Sequence, residues 1–266
     1  MRLTLNAEIS GPNDKPHDDC DYRVQDIVII HGLFGSLSNW RSISRSLAQQ
    51  YRIHTLDLRN HGASPWSDEM NYIAMAGDLK QYIRTNDLVS PHILGHSMGG
   101  KVCMALLQNF DIDIGLTFIA DIAPVSYGHN HDNIIDSLNA LNLEDIHYRQ
   151  EADQKLAQFI DSPLIRQFLL QNLKRGQSGF EWRINLSGIS TNMEAIFGYP
   201  TGPKVDSRII FIKGENSDYI QDQYLDQIMR QFPQAEFKTI GNAGHWLHAE
   251  QPEALVQVLQ SYLADY

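Results

Sequence analysis

Gly95-His96-Ser97-Met98-Gly99 stands where an apolar run, residues 92–94, gives way to the helical pattern of residues 101–110. A serine with glycines two residues away on each side constrains this chain more than any other feature. A strand must end and a helix begin within a few residues. The serine therefore takes a strained backbone conformation, and the glycines keep side chains from clashing with the adjoining strand and helix. Such a turn projects the Ser97 hydroxyl from the carboxyl end of a sheet, beside the positive end of a helix. The five-residue pattern alone is weak, because glycine makes up roughly 7% of average composition. The strand–turn–helix setting distinguishes it from a glycine-rich structural turn.

The rest of the chain supplies that setting. Short apolar runs recur at Asp26–Ile30, Arg52–Leu56, 92–94, 115–120, 208–212 and 236–240, rich in β-branched residues and bounded by Gly, Asp or Asn. They read as strands buried on both faces. Helical patterns lie between them at 40–50, 72–86, 98–110, 221–232 and Pro252–Leu263. This alternation predicts a mostly parallel α/β sheet with helices on both faces. Residues 3–9 alternate apolar and polar positions like an antiparallel edge strand, and residues 11–21 read as a polar loop. From Tyr127 to Lys204 no strand run is evident, only helix-like stretches such as 153–160 and 164–173. That pattern divides the chain into a core, residues 1–125 and 205–266, and a helical cap, residues 126–204, inserted between two sheet strands. The competing arrangement is extra helices packed flat on the core.

Composition excludes several classes. The 266 residues carry a net charge of −11, so nothing attracts nucleic acid or anionic lipid. No apolar stretch is long enough for stable membrane insertion, and Met1–Leu5 is followed by polar residues rather than the apolar run of a signal peptide. A cytoplasmic protein is expected. Two cysteines, Cys20 and Cys103, make no disulfide framework, and Cys103 reads as a small core residue. His129 and His131 lack the accompanying ligands of a metal site, and no phosphate loop or dinucleotide fingerprint occurs. No cofactor is required.

An unassisted serine hydroxyl is a poor nucleophile and needs a base. Of 11 histidines, His245 is the candidate, in Gly241-Asn242-Ala243-Gly244-His245 after the last strand. His248, three residues on, is expected to face solvent or pack in the following turn. His31-Gly32-Leu33-Phe34-Gly35 directly follows the first central strand and suits an oxyanion loop. The expected donors are the backbone N–H groups of Met98 and Leu33, with Phe34 the near alternative. Two acids compete to orient the histidine. Asp218 lies in the loop of residues 214–219, one residue past the usual place, which holds Ser217; Asp121 ends the strand before the insertion. A residue fixed at a strand end is the better holder of an imidazole than one in a polar loop. Residues 59–62 could line the mouth of the site or merely turn the chain. Trp182, Phe197 and Tyr199 could line an acyl pocket or form the insertion's own core.

In combination, HGLFGS (31–36), DLRNHGASP (57–65), GHSMGGK (95–101), DIAPV (121–125), GENSDYI (214–220) and NAGHWLHAE (242–250) resemble the α/β-hydrolase-fold esterases of the YbfF-type group, and the likeness runs over nearly the whole chain. The resemblance implies a triad of Ser97, Asp121 and His245, with Ser217 as a hydrogen-bonding neighbour. It also implies cleavage of carboxylic esters or acyl thioesters, acyl-coenzyme A included, so the expected partner is a small acyl substrate. The chain departs from the group's pattern in a longer polar segment before Asp26 and in Asp218 directly after Ser217. Fold alone does not fix the reaction. A lyase or carbon–carbon hydrolase, or a non-catalytic binder, could keep the same pocket.

Overall fold

Ile27 and Ile29 point into one apolar core and Val28 and Ile30 into another, which is why the strand carrying them is apolar throughout. The computed structural model describes residues 2–12, 24–128, 132–177, 179–200 and 202–266. All but the first two residues of the 11–21 loop fall outside these ranges, as do Cys20, His129 and His131. The strands are β1 (Ala7–Ser10), β2 (Asp26–Ile30), β3 (Arg52–Leu56), β4 (His92–His96), β5 (Thr117–Ala120), β6 (Leu173–Arg175), β7 (Phe180–Trp182), β8 (Ile209–Gly214) and β9 (Ala235–Ile240). Seven form one sheet in the order β1-β3-β2-β4-β5-β8-β9. All neighbours are parallel except β1, which runs antiparallel to β3 at the edge, as the alternation of residues 3–9 predicts. The edge strand is shorter than predicted because the residues before it bond elsewhere. Leu3 N–H donates to Asp78 Oδ1 (2.7 Å) and Asn6 N–H to Ser64 Oγ (2.8 Å).

The helices are α1 (Arg41–Leu47), α2 (Tyr72–Thr85), α3 (Met98–Asn109), α4 (Asp132–Asn139), α5 (Arg149–Leu156), α6 (Pro163–Leu170), α7 (Leu186–Thr191), α8 (Met193–Phe197), α9 (Asp222–Gln231), α10 (Leu247–Glu250) and α11 (Pro252–Leu263). Ile43 and Leu47 of α1 and Leu255 and Leu259 of α11 cover one sheet face; Met75 and Leu79 of α2, Val102 and Leu106 of α3 and Ile228 of α9 cover the other. The pattern read as a helix over 40–50 begins as a 3-10 turn, Leu37–Trp40, before α1. No helix among the described residues is long and apolar enough to cross a membrane.

Because β2 pairs with β3 on one side and β4 on the other, the chain switches direction across the sheet between β2 and β4. The loops leaving the carboxyl ends of those two strands splay apart there, and such a crevice is where open α/β sheets bind ligands. The loop after β2 begins at His31 and the loop after β4 is Ser97 itself. Helices α4–α8 lie in the connection from β5 to β8 and reach back over this edge. Asn172 Nδ2 donates to Phe34 O (2.7 Å), and Asn185 N–H to Asn60 O (2.9 Å).

The connection is not free of strands. β6 and β7 form an antiparallel hairpin, Leu173 facing Trp182, closed by a Gly176 N–H to Gly179 O bond of 2.7 Å. The helix predicted over 164–173 therefore ends at Leu170, and Leu173 opens the hairpin. Three-residue strands are too short to show an alternation, so nothing in the pattern marked them.

The turn after β3 is a scaffold rather than a mouth. Arg59 is fully buried and grips Asp78 of α2 through Nε (2.7 Å) and Nη2 (2.9 Å). Asp78→Ala would remove the buried bidentate partner of this guanidinium, and breaking such a pair costs about 3–5 kcal/mol. Urea denaturation should read that loss. A change under about 1 kcal/mol would mean that Glu69, whose Oε2 already lies 3.7 Å from Arg59 Nη1, suffices as partner.

Candidate active site

Ser97 sits at φ 52°, ψ −121°, between β4 and α3, a backbone region that non-glycine residues occupy only when the surroundings hold them there. Its N–H donates to Ala120 O of β5 (2.9 Å). The sharp turn depends on close backbone approach on both sides. A Cβ on Gly95 would come within 2.3 Å of Gly99 O, and one on Gly99 within 2.5 Å of Ile30 O. Both glycines are therefore steric requirements of the packing of α3 onto the sheet.

His245, in the loop after β9, faces this serine. Its Nε2 lies 3.0 Å from Ser97 Oγ and its Nδ1 2.8 Å from Asp121 Oδ2. The tautomer serving both partners carries the proton on Nδ1, donated to the carboxylate, and leaves the Nε2 lone pair to accept the serine hydroxyl. Asp121 directly follows β5 at φ 53°, fully buried. Its Oδ1 accepts the Gly214 N–H (3.1 Å), and its Oδ2 also accepts the Ser217 hydroxyl. Asp218 is exposed and makes no bond to His245. Of the two competing acids, the geometry brings Asp121 to the imidazole, and Ser217 to Asp121.

The imidazole is held on every side. The Tyr219 ring stacks on it with centroids 3.8 Å apart, and His96 Nε2–H donates to the His245 carbonyl oxygen (2.7 Å). Burial, helped by nearby His245 and His248, holds the His96 pKa well below the usual imidazole value, so it stays neutral. Of the two places expected for His248, solvent or the following turn, it takes the second. It is buried in α10, stacked on Trp40 (4.7 Å) and edge-on to His96 (4.8 Å), with Nδ1 unpartnered. It lies there because α10 turns inward immediately after the His245 loop and buries both Leu247 and His248.

Leu33 and Met98 present backbone N–H groups without an acceptor among the described residues, whereas the Phe34 N–H, the alternative donor, goes to His61 Nε2 (3.1 Å). A pair of buried neutral histidines braces this loop. His31 Nδ1–H donates to Gly32 O (2.7 Å) while its Nε2 accepts the Leu58 N–H (3.0 Å). His61 Nδ1–H donates to Arg59 O (3.0 Å), and burial, with His31 close by, pushes its pKa down to about 3.

Two cavities meet at Ser97, sharing Leu33 and Tyr219 as well. The first, about 310 Å³, is lined by His245, His248, Phe34, Ile165, Phe168 and Trp246. The second, about 400 Å³, is lined by Met98, Lys101, Tyr127, Ile196, Phe197 and Tyr224. Of the aromatic candidates, Phe197 reaches the second cavity. Trp182, half-buried, packs against the core instead, while Tyr199 donates its hydroxyl to Gln108 Oε1 (2.6 Å). Lys101 was not singled out by the sequence, although a lysine amid the apolar face of GKVCMALL is a visible signal. His96 and Tyr219 carried none, since each acts through a neighbour distant in the chain. No cluster of potential metal ligands occurs among the described residues.

Residues 27–258 match the family model described as the alpha/beta hydrolase family. The chain is 40% identical over 240 residues to esterase YbfF of Escherichia coli (strain K12), covering 90% of this chain and 93% of that protein. It is 36% identical to the sn-1-specific diacylglycerol lipase ABHD11 of Mus musculus, covering 92% of this chain and 83% of that protein. Among solved structures, a marine microorganism esterase superposes with a TM-score of 0.91 at 35% identity, covering 97% of this chain and 99% of that one.

The buried histidines make stability depend on pH. Burial lowers His61 to about 3 and His92 and His248 to about 4, so the unfolded chain takes up protons that the folded chain refuses. Their contribution is fully present above the ordinary histidine pKa of 6.5 and is lost as pH falls from there toward 4. The urea midpoint should fall steadily between roughly pH 7 and pH 4.5, and His61→Gln should flatten the slope. A midpoint constant over that window would show that these rings protonate without opposition.

Proposed function

Since the chain belongs to the alpha/beta hydrolase family, we propose that it is a serine-dependent carboxylic ester hydrolase acting on esters or acyl thioesters, acyl-coenzyme A among them. The observation that carries this reading is the unbroken line of hydrogen bonds from Asp121 through His245 to Ser97, with the N–H groups of Leu33 and Met98, which have no acceptor among the described residues, close by. The esterase and lipase activities named for the relatives support it.

In this reading Ser97 attacks the acyl carbonyl as His245 Nε2 takes its proton. Asp121 holds the Nδ1–H tautomer and stabilises the imidazolium, and Ser217 and Gly214 hold Asp121. The Leu33 and Met98 N–H groups bind the developing oxyanion; removing one such donor costs roughly 2.7–4 kcal/mol in comparable sites. His245 then protonates the leaving alcohol or thiol, and a water activated by the same imidazole releases the acid and restores Ser97. No cofactor enters. In the same reading residues 126–204 act as a cap over residues 1–125 and 205–266, because Ile196 and Phe197 wall one cavity and Ile165 and Phe168 the other.

Ser97→Ala should lower ester turnover by about a million-fold, and His245→Ala by a similar factor. Asp121→Asn should lose about ten-thousand-fold, Asp218→Asn should stay near the unaltered protein, and Ser217→Ala should fall between them. Nitrophenyl ester hydrolysis and fluorophosphonate labelling check these values, with circular dichroism as the folding control. Retention of more than a few per cent activity in Ser97→Ala would refute the nucleophile, and the reverse ranking of the two aspartates would move the acid to Asp218. A parallel panel of oxygen esters and thioesters decides between the two ester classes.

The cap has its own test. Ile196→Trp should reduce kcat/KM for octanoyl esters at least about ten-fold while changing acetyl esters far less, since one extra or missing methylene in such a pocket is worth roughly 10–200-fold. Equal losses across chain lengths would detach the insertion from substrate selection.

A further inference from the structure

Lys101 lies one helical turn beyond Ser97 on α3, about 6 Å along the axis. Only 1% of its surface is exposed, yet it forms part of the wall of the second cavity, which ends at Ser97. Two of its three N–H donors are placed. Nζ donates to Phe197 O (3.1 Å) and Gly198 O (2.8 Å), at the end of α8. No carboxylate lies within ion-pairing distance among the described residues. The rings of Tyr127 (4.8 Å), Tyr72 (5.5 Å) and Tyr199 (5.9 Å) surround the ammonium instead.

Anchoring two carbonyls needs donors and does not need a net charge; a glutamine amide would do it. A buried charge is ordinarily neutralised by a partner because desolvation is so unfavourable. Here aromatic faces and carbonyl dipoles stabilise the cation without cancelling it. The charge is therefore not cancelled, and one donor has no acceptor among the described residues. Burial pulls the Lys101 pKa down to about 7, and a bound anion would draw the amine back toward its charged state. Asp218 also borders this cavity, but it is exposed and its charge is screened by solvent.

The direction of substrate binding follows from the imidazole. A leaving group must lie beside His245 to receive its proton, and His245 lines the first cavity and not the second. The acyl part is left to the second cavity, where Lys101 waits.

We propose that the second cavity is an acyl subsite for chains bearing a terminal carboxylate, with Lys101 as the counter-ion that selects half-esters and half-thioesters of dicarboxylic acids over neutral acyl groups. This inference rests on the serine-esterase reading above and goes beyond it by naming the substrate class.

The test compares kcat/KM for nitrophenyl hemisuccinate, hemiglutarate and hemiadipate with the corresponding neutral esters of equal chain length. The unaltered protein should favour at least one half-ester by about ten-fold or more, the size of one charge-assisted hydrogen bond. Lys101→Met keeps the aliphatic stem and should reduce the anionic-to-neutral ratio at least ten-fold. Moving the charge to the leaving group, as in 4-acetoxybenzoate, should bring no gain. The inference is overturned if the unaltered protein shows no preference for any half-ester, if the ratio survives in Lys101→Met, or if the gain appears only with the charged leaving group. The first of these needs no variant to fold. Neutral esters cleaved without anionic preference would sink this inference alone. Failure to cleave any ester or label with fluorophosphonate would remove the underlying reading as well.

Discussion

The strained backbone at Ser97 is what the rest of the site is arranged around. A φ of 52° at a non-glycine residue persists only because β4, α3 and β5 leave the chain no alternative route. Gly95 and Gly99 let α3 pass close enough to the sheet for that turn to exist, and the Ser97 N–H continues the ladder to β5 beyond the last strand residue. The hydroxyl is thereby fixed by the main chain rather than by its own rotamer alone. Placement by regular elements is more exact than placement by a loop.

The same economy appears at Asp121, which also takes a positive φ directly after a strand and also continues the ladder, its N–H donating to Ile212 O (2.8 Å). Two adjacent parallel strands thus end in the same way, one presenting a hydroxyl and the other a carboxylate. His245 bridges them from a less regular loop and needs more support. That support comes from the Tyr219 ring and from His96, whose neutral state follows from burial. The braces of the loop after β2, His31 and His61, are neutral for the same reason. The apolar surroundings that keep these rings uncharged also strengthen their hydrogen bonds.

The insertion between β5 and β8 is bound to the core through main-chain acceptors beside the site. Asn172 reaches the Phe34 carbonyl, Lys101 the carbonyls of Phe197 and Gly198, and Asn185 N–H the Asn60 carbonyl (2.9 Å). Its apolar residues join the cluster that lines the α2–α3 face of the sheet rather than forming a separate core. A shift of this connection would accordingly be felt at the loop after β2 and in both cavities.

Local pattern determined the sheet, its helices and the turn at Ser97, because runs of β-branched residues, helical periodicity and glycine spacing act within a few residues of one another. It also singled out His245 and the loop of His31–Gly35 by their places after strands. It did not determine what crosses the chain. The β6–β7 hairpin escaped because strands of three residues carry no measurable alternation. His248 turned inward because Trp40, some two hundred positions earlier, offers a ring to stack on. The meeting of Asp121 with His245, 124 residues apart, depends on β5 and β8 lying side by side and on β9 following them. The solitary charge of Lys101 becomes meaningful only once the rings and carbonyls around it are known. Hydrogen bonds and ion pairs act over a few ångströms in space whatever the separation in sequence, so only the folded chain decides which groups share them.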